Sequence, residues 1–123
     1  MNKILLIDDI DQARQTIGEM LTRGGYEVIE ASNGHEGIKS FKEHYPDLVI
    51  TDIVMPEMEG LETIRRLREI NPHVPIIAMT ASNYSTYMTA ALKLGAFSGI
   101  FKPFQQKEIL TEVQKALKWS KNI

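Results

Sequence analysis

The chain contains no cysteine in its 123 residues, which excludes a disulfide framework, a thiol nucleophile and a thiolate metal centre. It also lacks any long apolar run. The longest, ILLI near the start and PIIAM near the middle, fall far short of the roughly 20 residues that a membrane span requires. Neither sign of charge prevails: the formal net charge is −2 and acids and bases are interspersed, so no basic stripe exists to grip a phosphate backbone and direct nucleic-acid binding is not expected. A secretory leader is not expected, because Asp8 and Asp9 follow the first apolar run directly where a small-residue cleavage site would stand. A cytoplasmic protein without membrane contact is the expectation. No internal repeat, low-complexity tract or linker interrupts the chain, and residues 1–123 read as a single domain of a size that can bury its own core.

Short β-branched runs alternate with stretches of helical period. That pattern implies parallel strands joined by crossover helices. Strands are predicted over 3–8, 26–31, 47–52, 75–80 and 99–103. Between them, buried stripes at helix spacing are Ala13, Ile17, Met20 and Leu21; Ile38 and Phe41; Leu61, Ile64 and Leu67; Met88, Ala91 and Leu92; and Ile109, Leu110, Val113 and Leu117. Gly24, Gly25 and Gly95 can end helices in a left-handed cap, and Asn33-Gly34 and Asn71-Pro72 mark turns. The first, third and fourth strands are apolar up to their C-terminal ends, as strands covered on both faces are. The second carries Glu27 and Glu30, and the fifth contains Gly99 and stops at Pro103, features suited to an edge. The result is an α/β, flavodoxin-like doubly wound (βα)5 fold with a parallel five-stranded sheet in the order 2-1-3-4-5, whose ligand site lies beyond the carboxyl ends of the strands.

Those carboxyl ends carry Asp8 and Asp9 after the first strand, Asp52 on the third, Thr80 on the fourth and Lys102 on the fifth. Each has a duller reading alone: a helix cap, a loop acid, a strand-end hydroxyl, an edge-strand lysine. Those readings give no reason for all five to gather on one side of one sheet. Three converging carboxylates repel, and a divalent cation relieves the repulsion. Oxygen-only ligands favour Mg²⁺. A carboxylate so placed can act as a nucleophile toward phosphorus, with the charge of the transferred group offset by the metal, a cation and a hydroxyl. Lys102 and Thr80 match the last two roles.

With these residues in view, the sequence resembles the chemotaxis-type and response-regulator receiver family over essentially its whole length. The motifs ILLIDD, DLVITDIVMPEMEG, MTA and GIFKPF occur in the family's order and at similar intervals. The resemblance implies that Asp9 ligates Mg²⁺ directly and Asp8 mainly through water, and that the Val54 backbone carbonyl completes the metal shell. It implies further that Asp52 is phosphorylated, that Thr80 binds a phosphoryl oxygen and that Lys102 pairs with the phosphate. A sensor histidine kinase or phosphotransfer protein would be the donor. An output domain or partner protein would be met through the fourth helix, fifth strand and fifth helix. A cis Lys102–Pro103 peptide is also implied.

One position departs from the family pattern. Receivers commonly have Tyr or Phe three residues before the Lys of the Lys-Pro motif, where this chain has Gly99. The gap so left toward the fourth helix is expected to be partly filled by Phe101, Tyr84 or Tyr87. His35, His44 and His73 have no ligand spacing and read as surface residues. The six methionines read as core filler, with Met55 and Met58 in the loop beside Asp52 as possible partner contacts, and Trp119 as an amphipathic anchor of the last helix. Three other functions are compatible with parts of this pattern. A flavin or nucleotide protein needs a glycine-bearing phosphate loop after the first strand, where this chain has DDIDQAR. A haloacid-dehalogenase-type phosphohydrolase needs a second Asp two positions past its nucleophile, where this chain has Val54. A receiver that binds partners without phosphorylation would not need all five site residues.

Overall fold

The computed structural model describes residues 2–56 and 60–122. Among them, parallel strands β1 (Lys3–Ile7), β2 (Glu27–Ala31), β3 (Leu48–Asp52), β4 (Ile76–Ala81) and β5 (Ser98–Lys102) alternate with helices α1 (Asp11–Arg23), α2 (Gly34–His44), α3 (Gly60–Ile70), α4 (Ser85–Lys93) and α5 (Gln106–Ser120). The sheet order is β2-β1-β3-β4-β5, as the strand compositions indicate, and each strand lies within one residue of its expected bounds. Register places Leu5 beside Val49 and Ile29, and Asp52 beside Met79.

Successive strand residues point to opposite faces, so a run such as Ile4-Leu5-Leu6-Ile7 feeds two cores at once. All four are fully buried, and each such side chain stabilises the fold by about 1.5–3 kcal/mol relative to exposure. Ile4, Leu6, Leu48, Ile50, Ile77 and Met79 meet Ile17 and Leu21 of α1 and Ile109, Val113 and Leu117 of α5. Leu5, Ile7, Val49, Ile76 and Ala78 meet Ile38 and Phe41 of α2, Ile64 and Leu67 of α3, and Met88 and Ala91 of α4. Helices therefore cover both faces and leave the carboxyl edge of the strands open for a site.

Local chemistry sets the helix ends. The Asn33 side chain accepts a hydrogen bond from the Glu36 backbone N–H at 2.9 Å, so Asn33-Gly34 is the N-terminal cap of α2 and not a free turn. Asn71 does form a turn, its Oδ1 accepting from the N–H groups of His73 and Val74. Gly25 and Gly95 adopt φ of +92° and +111°, whereas Gly24 is right-handed. The left-handed cap of α2 falls on Tyr45, at φ 48°, where apolar periodicity gives no sign of it. Leu92 is 46% exposed and leaves the expected stripe: α4 is short, and Met88 and Ala91 alone among its residues are buried against the sheet. All three histidines are exposed. Trp119 is half-exposed and leans on Phe97, ring centroids 5.2 Å apart.

Candidate functional site

Side-chain alternation carries the acid site. On β3, Leu48 and Ile50 face α1 and α5, and Asp52 continues that alternation at the strand's end. On β5 the same parity runs from Ile100 to Lys102, and on β1 it runs from Leu6 to Asp8 just past the strand. The outcome is a cluster in which ligand oxygens of Asp8, Asp9 and Asp52 all lie within 4.8 Å of one another. Lys102 crosses to it from the edge strand and donates from Nζ to Asp52 Oδ2 at 2.8 Å and to Asp8 Oδ2 at 3.0 Å. Asp8 is fully buried and Asp52 is 6% exposed.

Burial pushes the Asp52 carboxyl above its usual value, and the opposing pull of Lys102 does not cancel the rise. For Lys102, burial favours the neutral amine, but hydrogen bonds and charge from Asp52 and Asp8 outweigh it and hold the ammonium above the ordinary lysine value. Asp52 Oδ1 also accepts from the Val54 N–H at 3.3 Å, which sets residue 54 alongside the acceptor. Asp8 Oδ1 accepts from the Ile10 N–H at 3.0 Å. Asp9 is partly exposed, and among the described residues its side chain takes no hydrogen bond or ion pair. Three carboxylates offer a cation hard oxygen ligands alone, a donor set that fits Mg²⁺.

Thr80 stands apart from these four. It lies on β4 beside Phe101 in register, one position past the Met79–Asp52 pairing. It is buried and, among the described residues, makes no side-chain hydrogen bond to the acid cluster or to Lys102. The peptide joining Lys102 to Pro103 is cis, as the family resemblance implies.

A model of the response regulator receiver domain matches residues 4–114. The chain belongs to the receiver family. It is 37% identical over 117 residues to chemotaxis protein CheY of Bacillus subtilis, an alignment covering 94% of this chain and 98% of that protein. It is 38% identical over 119 residues to the regulatory protein AtoC of Escherichia coli, of which it spans a quarter. A response regulator receiver domain protein from Clostridium thermocellum superposes with a TM-score of 0.94 at 33% identity, over 98% of both chains. Receivers are phosphoacceptors of two-component signalling that bind Mg²⁺ at an acidic pocket and interact with sensor kinases and output domains.

Within this receiver, the space over Gly99 is filled by a residue that sequence reasoning passed over. A Cβ at Gly99 would overlap the sulfur of Met88, whose thioether reaches down from α4 and is 5% exposed. Tyr84, Tyr87 and Phe101, the expected fillers, are instead 38%, 37% and 41% exposed. An unbranched thioether suits such a site because it bends into a hole left by a missing side chain. Met55 is buried in the core and so is no partner contact, and Met58 lies outside the described residues. Gly60 is a second unforeseen determinant. Its N–H donates to the Ile53 carbonyl at 2.7 Å, and a Cβ there would run into the backbone of Asp52 and Ile53. The DLVITDIVMPEMEG motif ends in glycine because α3 begins against the strand that carries Asp52. No helix is long and apolar enough to cross a membrane among the described residues.

Proposed function

We propose that residues 1–123 form one receiver domain that takes a phosphoryl group from a phosphohistidine of a sensor kinase or phosphotransfer protein onto Asp52. The reading is supported above all by one arrangement: Lys102 Nζ lies within hydrogen-bonding distance of both Asp52 and Asp8, beside an acid cluster able to hold a cation. An Asp52 carboxylate oxygen attacks phosphorus, the P–N bond breaks, and the imidazole leaves with its electron pair. Burial, which raises the proton affinity of Asp52, also raises the basicity of the attacking anion. Lys102 turns from the carboxylates to the incoming phosphoryl oxygens, and the Thr80 hydroxyl donates to another. Mg²⁺, held by Asp9, Asp52 and the Val54 carbonyl directly and by Asp8 mainly through water, would supply charge neutralisation at the transferring group. The domain catalyses its own phosphorylation and, with water as the nucleophile, its own dephosphorylation. Output passes through the face of α4, β5 and α5, where Tyr84, Tyr87 and Phe101 stand exposed and the first two rings pack edge to face at 5.8 Å.

The test is intact-mass measurement after incubation with a small-molecule phosphodonor and Mg²⁺. Wild type should gain one base-labile phosphate, and Asp52→Asn should gain none because an amide is no nucleophile. A stoichiometric base-labile phosphate on Asp52→Asn would place the acceptor elsewhere.

A further inference from the structure

Asp8 and Asp9 are neighbours in the chain but are held in different ways. Every polar atom of Asp8 has a partner. Its N–H donates to the Ala31 carbonyl at 3.1 Å, its two carboxylate oxygens accept from Ile10 and Lys102, and its carbonyl oxygen accepts from Arg14 Nη1 at 2.8 Å. Among the described residues the Asp9 side chain has no such partner. What aims its carboxylate is therefore the peptide plane between residues 8 and 9, since rotation about the bonds flanking that plane swings the Asp9 side chain. The carbonyl of that plane is the atom that Arg14 grips.

Arg14 is itself strongly fixed. Its side chain is 16% exposed. Nη2 donates to Asp11 Oδ1 at 2.7 Å, and Nε donates to Glu30 Oε1 on the edge strand β2 at 3.1 Å. One planar guanidinium thus ties the first turn of α1 and the end of β2 to the acidic turn, a three-way geometry that a lysine ammonium on a flexible stem does not reproduce. The start of α1 has no side-chain cap from Ile10; the Asp8 carboxylate accepts from the Ile10 N–H, and the Arg14 fork braces the same segment from the helix side.

We propose that Arg14, with Glu30 as its brace, is a positioning residue for the divalent-cation site: it fixes the Asp8–Asp9 peptide and so directs the Asp9 carboxylate toward Asp52. The inference rests on the reading of the acid cluster as a Mg²⁺ site. Positioning and simple electrostatics predict opposite signs. Arg14 is a positive charge near the acidic turn, so on charge alone its removal should tighten Mg²⁺ binding; if it positions Asp9, its removal should weaken binding.

Isothermal titration of the metal-free domain with Mg²⁺ separates the two. Arg14→Ala is expected to weaken affinity by about tenfold, in the range found when groups orienting metal ligands are lost. Arg14→Lys should also weaken it several-fold despite the conserved charge, and Glu30→Gln should fall between Arg14→Lys and wild type. The Asp9 backbone amide resonance should shift in both Arg14 variants before any metal is added. Unchanged or tighter Mg²⁺ binding in the Arg14 variants that fold overturns the inference. Arg14→Lys decides the matter if Arg14→Ala does not fold. A wild-type domain that takes up no Mg²⁺ overturns the metal reading beneath it, an outcome distinct from wild-type binding with unaltered variants.

Discussion

The acidic turn at the ends of β1 and β3 and the passage from β4 into α4 border the same site, yet they are held by different means. At the acid end, Asp8 is partnered at every polar atom, Lys102 ties two acids, and α3 begins in backbone contact with β3 through Gly60. Beyond Thr80 the chain runs through a 3-10 turn at Ser82–Tyr84 into a nine-residue α4 whose N-terminus has no side-chain cap, and residues 82–87 are all exposed. The far end of α4 is secured by Arg68, which donates from Nε and Nη2 to the Gly95 carbonyl at 3.1 and 2.7 Å, and from Met88 onward the helix is seated on the sheet, with the Met88 thioether over Gly99. A helix seated from Met88 to its C-terminus has play only in residues 85–87 and the turn before them, whereas the cluster of like charges beside it cannot tolerate play. Local stability falls where apolar contacts and caps are few, and in this receiver it differs in that way between the two regions of the carboxyl edge.

The largest expected effect tests the rigid side. Gly60→Ala forces a methyl into the backbone of Asp52 and Ile53, and chemical denaturation should record a loss of about 3 kcal/mol or more, since backbone can yield less than a side-chain tip. A loss below about 1 kcal/mol would mean that the acid end gives way as readily as α4.

Next in size is a contrast within the acid cluster. Relief of repulsion alone predicts that either Asp8→Ala or Asp9→Ala raises the melting temperature. The hydrogen bonds divide that expectation. Asp8→Ala strips partners from the Ile10 N–H and from Lys102 and should lower stability by about 1–3 kcal/mol. Asp9→Ala removes a charge that has no such partner and should raise the melting temperature, as should added Mg²⁺ on the wild type. Parallel shifts in both variants would show that partnering does not distinguish the two acids.

On the mobile side, Gly99→Ala should cost only about 1 kcal/mol, because the Met88 thioether it displaces is flexible. Its amide shifts should nonetheless spread along residues 85–93, and Met88→Ala in the same chain should reverse most of them. Beryllium fluoride with Mg²⁺ should move amides of residues 81–95 in the wild type. Shifts confined to α2 or α3 in both experiments would remove the β4–α4 segment from the switch.

The smallest effect is one of pH in the metal-free domain. The folded-state pKa of Asp52 lies above its ordinary value of 3.8, so the fold favours the protonated form. Its stabilising contribution is complete below the ordinary value and is lost as pH rises through the raised one. Wild type should therefore lose stability relative to Asp52→Asn across that interval, as followed by urea titration at successive pH values. A difference that is constant with pH would show that burial does not perturb Asp52.

Much of the receiver is legible in one dimension because its determinants are periodic or terminal. Apolar runs bounded by turn residues place the strands within a residue, and Glu27, Glu30 and Gly99 send β2 and β5 to the edges. The acids and Lys102 end their strands, so strand order alone brings them together. What the sequence leaves open depends on partners far away in the chain. Nothing local distinguishes Asp8 from Asp9, since the bonds that do so come from Lys102 and Arg14. The pairing of Arg14 with Glu30 crosses from α1 to β2, and the passage of Met88 over Gly99 depends on how α4 lies across β5. Leu92 is exposed and Met55 buried for the same reason, because burial there follows from how neighbouring elements pack and not from hydropathy.

By itself, then, the amino-acid sequence determined the alternation of elements, the order of the sheet and the chemical type of the site, because these follow from short-range periodicity and from residues at strand ends. Tertiary structure alone decided which acid is braced and which is free, what fills the space above Gly99 and which end of α4 is pinned. Those outcomes are set by the directions of side chains meeting across the fold, and no property of the individual residues encodes them.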